Sequence, residues 1–171
     1  MAILAIKTYP DSVLSLVAAE VVFPLDLETK YLIRDMWNTV DGIGVGLAAP
    51  QVGVSKRICI ICMDTDRLPK GVKIKNNFVM INPKITFYSE IKSNMVEGCL
   101  SFPEEYWNIS RSANIICEYY NEKGKKDIIK ASGWMARVIL HEVDHLDGKL
   151  FIKMGGTKIK AENIDQHEVV D

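Results

Sequence analysis

The sequence predicts an α+β fold in which mostly antiparallel strands surround one central helix, with further helices toward the N-terminus. After residue 56, short runs rich in β-branched and aromatic residues follow one another, separated by turn residues. Residues 133–147 instead place their apolar residues at a period of about 3.6 and contain no proline. Because the helical patterns lie before and after the strands instead of alternating with them, the order favours α+β over a parallel α/β fold.

Two helices are predicted near the N-terminus. Residues 12–19 follow the turn Tyr9-Pro10-Asp11 and have the composition of a short helix. Residues 26–40 carry a longer amphipathic stripe, with Asp26 or Leu25 near its start.

Residues 41–53 alternate glycine with apolar residues. The pattern looks like a dinucleotide-binding fingerprint but fails that test, because a helix precedes it and Pro50 blocks the normal opening of a following helix. We interpret it as an extended segment whose bare backbone a ligand can approach. Gln51 is the polar side chain here, either a solvent-facing turn residue or a group directed at that ligand.

The strands that follow are joined by polar turns. Residues 64–77 are predicted to form a polar loop or hairpin tip, and residues 121–124 a hairpin turn with glycine at the expected place. The predicted strands are 57–63, 78–82, 84–91, 106–111, 114–120 and 125–131.

The central helix contains the stretch His141-Glu142-Val143-Asp144-His145. Residues four apart on a helix lie on one face, about 6 Å apart along the axis, so both imidazoles can reach a single ion. Glu142 lies about 100° round from His141, where it can touch a water on that ion. Ser132 is placed to cap the start of the helix, and Gly148 to end it in a left-handed conformation.

A catalytic metal site has three protein ligands and one open position, so the helix lacks one ligand. Phe151 stands where one protease group has a third histidine, and Glu162 and Glu168 lie in a polar tail. The third ligand is therefore expected upstream. Cys99 lies in an irregular, polar-flanked segment, and a thiolate with two imidazoles is a common zinc or iron(II) donor set. The alternative for Cys99 is a packed structural cysteine.

The other three cysteines are predicted to be buried in the core. Cys59 and Cys62 form C-x-x-C within one predicted strand, where residues three apart point to opposite faces and cannot chelate together. Cys117 lies in a similar apolar strand, and free cysteine is commonly a small buried residue.

Length and composition predict one domain over residues 1–171, with a polar tail from about residue 155. The net charge of −1 gives no electrostatic argument for nucleic acid or membrane binding, and no apolar run approaches the ~20 residues of a membrane span. The apolar N-terminus ends at Lys7, too short for a signal peptide. The expected location is therefore a cytoplasm, bacterial in preference to organellar.

Three separated segments resemble the signature motifs of the peptide deformylase family, in the same order and at similar spacing. They are residues 44–51, 97–101 and 141–148, and the resemblance extends over residues 5–153. It implies removal of the formyl group from the N-terminal formyl-methionine of newly made proteins, by attack of a metal-bound hydroxide. Nascent formyl-methionyl peptides would be the substrate, and the exit region of the ribosome is a candidate partner.

The resemblance also implies roles for individual residues. Glu142 would be the general acid/base, while Gln51 and the backbone N–H of Leu100 would face the oxyanion. Iron(II) is the metal expected in the cell, and zinc, nickel or cobalt can take its place. The single divalent ion would be held by Cys99, His141 and His145.

The peptide itself would be held by an added strand and a pocket. Val45 and Gly46 lie in the segment that would pair with the substrate backbone, and Glu97 with Arg111 would form a supporting ion pair. The methionine side chain would enter an apolar pocket lined by Val45, Met95, Trp134, Val138 and the stem of Arg137.

Two features depart from the family pattern. Leu140 stands where a glutamine is common, and the polar tail from Gly155 replaces the long C-terminal helix of many bacterial members. Neither touches the catalytic set. Two alternatives stay open: a zinc metalloprotease built on the same helix, and a non-catalytic binder of formylated N-termini.

Overall fold

The computed structural model describes residues 2–62, 77–160, 162 and 169–170. Glu168, the predicted strand end at Met63 and most of the predicted loop at 64–77 lie outside the described residues. Helix α1 spans Leu27–Val40 and helix α2 spans Gly133–Leu146, each within one residue of its predicted bounds. Asp26 caps α1, because its Oδ1 accepts a hydrogen bond from the Thr29 N–H at 2.7 Å.

The helix predicted at residues 12–19 is shorter than expected. A 3-10 helix covers only Ser12–Ser15, and Leu16 already has extended backbone angles (φ −92°, ψ 142°). Ala19 then forms a parallel bridge with Lys56. This backbone pairing between Ala19 and Lys56 therefore replaces the last part of the predicted helix.

Two sheets are formed by the described residues. The strands are β1 Gly46–Ala48, β2 Ile58–Ile61, β3 Phe78–Tyr88, β4 Lys92–Glu97, β5 Tyr106–Ser112, β6 Asn114–Tyr120, β7 Lys126–Ser132, β8 Thr157–Ile159 and β9 Val169–Val170. One sheet has the order β1-β2-β3-β6-β7 and the other β8-β5-β4-β9, and every neighbouring pair is antiparallel except β4 with β9. This architecture confirms the predicted α+β class.

The strand predictions are wrong in three places. Residues 78–82 and 84–91 are predicted as separate strands, but β3 is one strand ending at Tyr88. Its pairing with β6 shifts register between Ile81 and Lys84, where Asn82 has a φ of +50°. β4 is absent from the prediction, because its sequence KSNMVE is mostly polar and gives no apolar face. β8 and β9 lie within the predicted polar tail.

Helix α2 contacts strands of both sheets, and most of its side chains are buried. Ile139 packs in a cluster with residues of the first sheet, while Cys99, Ile109 and Phe151 form a separate cluster. Gly148 ends α2 with a φ of +67°, as predicted. Ser132 occupies the N-cap position, but its side chain makes no capping hydrogen bond. Neither this helix nor any other in the described ranges is long and apolar enough to cross a membrane.

The three predicted core cysteines are buried and free of disulfides. Cys59 and Cys117 belong to the cluster against α2, whereas Cys62 packs in the cluster against α1. The two cysteines of the C-x-x-C pattern therefore face opposite sides of their sheet, which confirms that they do not form a chelating pair.

Candidate metal centre

Helix α2 brings two imidazoles and one carboxylate to the same buried region. His141 and His145 lie one turn apart, with ring centroids 5.0 Å apart and ring planes at 75°. Glu142 lies between them in sequence and is buried with them. Because all three side chains start from one regular helix, its geometry fixes the relative positions of their Cα and Cβ atoms.

The structure places Cys99 beside both histidines. Its Sγ is 3.3 Å from His145 Nε2, and the ligand atoms of the three residues lie within 4.8 Å of one another. These atoms are buried and close enough for one ion to contact all three. One thiolate and two imidazoles are a donor set that suits zinc or iron(II). The residues present therefore fit a single divalent cation.

The carboxylate of Glu97 fixes the ring of His141. Glu97 Oε2 lies 2.9 Å from His141 Nδ1. Because an ionised carboxylate only accepts, Nδ1 donates to Glu97, and Nε2 is the ring nitrogen left for an ion. Burial by itself raises the pKa of Glu97, but the hydrogen bonds from Arg111 and His141 hold that pKa well below its usual range.

Two arginines also bond Glu97. Arg111 donates from Nε at 2.6 Å and from Nη2 at 2.8 Å, which is the ion pair implied by the family resemblance. Arg137 Nη1 donates to Glu97 Oε1 at 2.8 Å, and Arg111 Nη1 also pairs with Asp144. These roles of Arg137 and Asp144 were not predicted from the sequence. The available signal was helical spacing, since they lie four residues before and three residues after His141.

Glu142 lies against the backbone of β1. A Cβ added to Gly46 would lie 2.5 Å from Glu142 Oε1, so the carboxylate occupies space that only glycine leaves. Its other oxygen, Oε2, is buried and has no hydrogen-bond partner among the described residues. Burial raises the pKa of Glu142 to about 7. A group with that pKa can both accept and donate a proton near neutral pH.

We expect Gly46→Ala to lower kcat for the reaction of this site by about 100-fold. The new methyl group would clash with Glu142 Oε1 and push the carboxylate out of its position. Metal content and the melting temperature of the metal-free protein are measured alongside. A variant with normal kcat would show that the carboxylate position next to Gly46 is unimportant.

Two N–H donors lie next to Cys99. Gln51 is buried, so it is not a solvent-facing turn residue, and its Oε1 accepts from the Ala48 N–H at 2.8 Å. That bond directs Nε2 toward Cys99 Sγ, 3.5 Å away. The second donor is the backbone N–H of Leu100. Among the loops and turns of the described residues, it donates to no backbone oxygen.

The structure brings together part of the predicted methionine pocket. Val45 and Val138 belong to one buried cluster, and Trp134 packs against it. Met95 is half-buried in β4 and is not a member of that cluster. The guanidinium of Arg137 turns toward Glu97 and the backbone of β4. The pocket roles of these residues stay predictions.

Strand β1 lies at one end of its sheet and pairs with β2 alone among the described strands. Its outer edge therefore offers backbone N–H and C=O groups to an added strand. Gly46 belongs to this strand and touches Glu142, so a peptide paired along the edge would run past the carboxylate.

Comparisons with known proteins agree on one family. The family model described as polypeptide deformylase matches residues 3–159. The peptide deformylase of Endomicrobium trichonymphae is 44% identical over 153 residues, covering 89% of this chain and 86% of that protein. Peptide deformylase 1 of Bacillus subtilis is 38% identical over 152 residues, covering 88% of this chain and 89% of that protein.

Solved structures give the same result. The Met-Ala-Ser-bound class I type b peptide deformylase of Acinetobacter baumannii aligns with a TM-score of 0.83 at 33% identity, covering 90% of this chain and 98% of that chain. The actinonin complex of the Ehrlichia chaffeensis enzyme aligns with a TM-score of 0.79 at 40% identity, covering 90% and 89%.

Proposed function

Because this chain belongs to the peptide deformylase family, whose members remove the N-formyl group from nascent peptides, we propose that it performs this hydrolysis at the centre formed by Cys99, His141 and His145. The chain is an amide hydrolase that releases formate, as predicted. The observation that supports this location of the active site is that the three candidate ligand atoms lie within 4.8 Å of one another, beside a buried carboxylate.

The family is metal-dependent, and the three buried donors suit one divalent ion. When bound, such an ion supplies a Lewis acid that makes water a nucleophile near neutral pH. Iron(II) is our proposal for the metal in the cell, with zinc, nickel or cobalt as substitutes. Glu97 contributes by holding His141 with its Nε2 lone pair free for the ion.

Glu142 moves the proton. Its carboxylate accepts a proton from the attacking water and then donates it to the amine that leaves the formyl carbon. Burial favours both steps, because it places the pKa of Glu142 at about 7. The partnerless oxygen Oε2 is the atom available to hold the proton.

Gln51 and Leu100 stabilise the negative charge on the formyl oxygen. The Gln51 amide is anchored through its own oxygen to Ala48, which leaves Nε2–H to donate. The Leu100 N–H follows Cys99 directly in the chain. Donors that are already oriented for the transition state lower the barrier without being reorganised.

We expect Gln51→Leu to reduce kcat by about 100- to 1,000-fold, the usual effect of losing one oxyanion donor. KM and metal content are expected to change little, because Gln51 is not among the three ligands. Steady-state formate release with metal analysis of the same sample checks this. An unchanged kcat would exclude the side chain from oxyanion stabilisation.

The substrate peptide pairs as an extended strand with the outer edge of β1 at Gly46 and with Val45 just before it. Its methionine side chain enters the apolar region formed by Val45, Trp134 and Val138, with Met95 at its border. The A. baumannii relative binds Met-Ala-Ser, which has the sequence of such a product. We further propose one catalytic domain over residues 1–171, acting on nascent chains in a bacterial cytoplasm near the ribosome exit.

The test is formate release from formyl-Met-Ala-Ser, with iron(II) supplied without oxygen and zinc supplied in parallel. Two controls are run: the unformylated peptide with the same sequence, and a longer peptide in which cleavage of an internal peptide bond is measured. Cleavage of the internal bond would identify a metalloprotease, and tight binding of the formyl peptide without formate release would identify a non-catalytic binder.

A further inference from the structure

The charged end of Arg137 lies in a buried network. Its side chain is 1% exposed. Nη1 donates to Glu97 Oε1 and to the backbone oxygen of Ile109, both at 2.8 Å, and Nη2 donates to the backbone oxygen of Ser93 at 2.6 Å. The guanidinium is therefore bonded at once to an ionised carboxylate and to the backbones of β4 and β5.

These bonds connect the two elements that supply the three candidate ligands. Arg137 and His141 lie four residues apart on α2, which places them on one face of that helix. Ser93 and Glu97 lie in β4, which continues through a single residue to Cys99. One side chain from the histidine helix is thus bonded at two points to the strand that leads into the cysteine.

The hydrogen bonds around Glu97 leave its carboxylate no freedom to turn. Oε1 accepts from Arg111 Nε and Arg137 Nη1, while Oε2 accepts from Arg111 Nη2 and His141 Nδ1. Four donors fill the roughly four lone-pair positions that a carboxylate offers. Without Arg137, one position is empty, and only Arg111 and His141 then hold the carboxylate.

We propose that Arg137 is a positioning residue for the metal centre, which holds Glu97, and through it His141, at the distance from Cys99 that a single ion requires. This inference rests on the proposed ligands Cys99, His141 and His145. An opposing effect exists, because a guanidinium repels a nearby cation. We expect positioning to outweigh it, because the charge of Arg137 is paired directly with the ionised carboxylate of Glu97.

The test compares Arg137→Met, which keeps most of the stem, with the wild-type protein. Affinity of the metal-free protein for cobalt(II) is measured by competition with a chelator, and the visible absorption of the cobalt(II) form is recorded. We expect about 10- to 100-fold weaker binding, the usual cost of losing a group that orients a ligand. We also expect shifted absorption bands, because the orientation of His141 changes. Arg137→Lys, which keeps one donor for Glu97, is expected to recover part of both.

Arg57→Met is the matched control. Arg57 also bonds α2, through the Leu146 oxygen at 3.2 Å, and pairs with Asp147 at 2.9 Å, but it does not touch Glu97. Its loss is expected to lower the melting temperature of the metal-free protein while leaving cobalt(II) affinity and spectrum unchanged. If Arg137→Met does not fold, Arg137→Lys carries the comparison.

Wild-type affinity and an unchanged spectrum in the Arg137 variants would overturn the proposal and leave Arg137 a packing residue. Tighter cobalt(II) binding would overturn it as well, because charge repulsion would then outweigh positioning. If Cys99→Ala binds cobalt(II) as well as the wild-type protein does, the ligand assignment fails, and the proposed catalytic centre fails with it.

Discussion

Replacing Glu142 with glutamine is expected to lower kcat for formyl-Met-Ala-Ser by about 100- to 10,000-fold, the range that a positioned acid/base contributes. Glutamine has nearly the same shape, so the packing against Gly46 is retained. What is lost is a group that can accept a proton from water and return it to the leaving amine. Metal content should stay at the wild-type level, because Glu142 is not one of the three converging ligands.

The measurement is single-turnover formate release by protein whose metal content is determined in the same sample. Glu118→Gln is a matched control, since Glu118 pairs with Lys126 on the surface of the first sheet, and this change should leave kcat unchanged. Near-normal turnover in metal-replete Glu142→Gln or Glu142→Ala would remove this residue from the chemistry and leave its burial without a catalytic explanation.

Replacing Cys99 with alanine is expected to abolish stable metal binding. Two imidazoles on one helix remain, but a site with two ligands and no thiolate does not retain the ion through dialysis against a chelator. Activity should disappear together with the metal. Metal analysis after dialysis, beside a wild-type sample that retains stoichiometric metal, is the direct measurement.

Cys117→Ala is the matched control for this change. Cys117 is also buried and free, and it packs in the cluster against α2 without being one of the converging ligand residues. Its loss leaves a small cavity and is expected to affect stability only. Equal metal retention by the two alanine variants would separate Cys99 from the metal, and the centre would then need another third donor.

The sequence was sufficient where the information is local. The spacing of His141 and His145 places both rings on one helical face, and that helix has the predicted bounds within one residue. Cys99 was reachable by elimination, because it alone among the cysteines lies outside an apolar strand. The C-x-x-C pair was correctly assigned to the core for the same kind of reason, the alternation of faces along a strand.

The sequence was insufficient where long-range contacts decide the structure. β4 is mostly polar because its side chains surround the Arg137 and Arg111 network or face solvent, so it carries no strand pattern. The bonding of two arginines to Glu97 depends on β4, β5 and α2 meeting, which no local pattern reports. The helix predicted at residues 12–19 fails for a related reason, since pairing of Ala19 with a residue 37 positions later overrides local propensity.

Helix α2 carries two of the proposed ligands and the proposed acid/base group, whereas the third proposed ligand lies in the loop after β4. Any displacement of the helix moves both imidazoles and the carboxylate together and leaves the distances among them unchanged. The sulfur is the one donor that such a motion can separate from the others. Heating, or substitutions far from the centre, should therefore lengthen the distances from the Cys99 sulfur to the two imidazoles. The ion should then be lost before the helix unfolds.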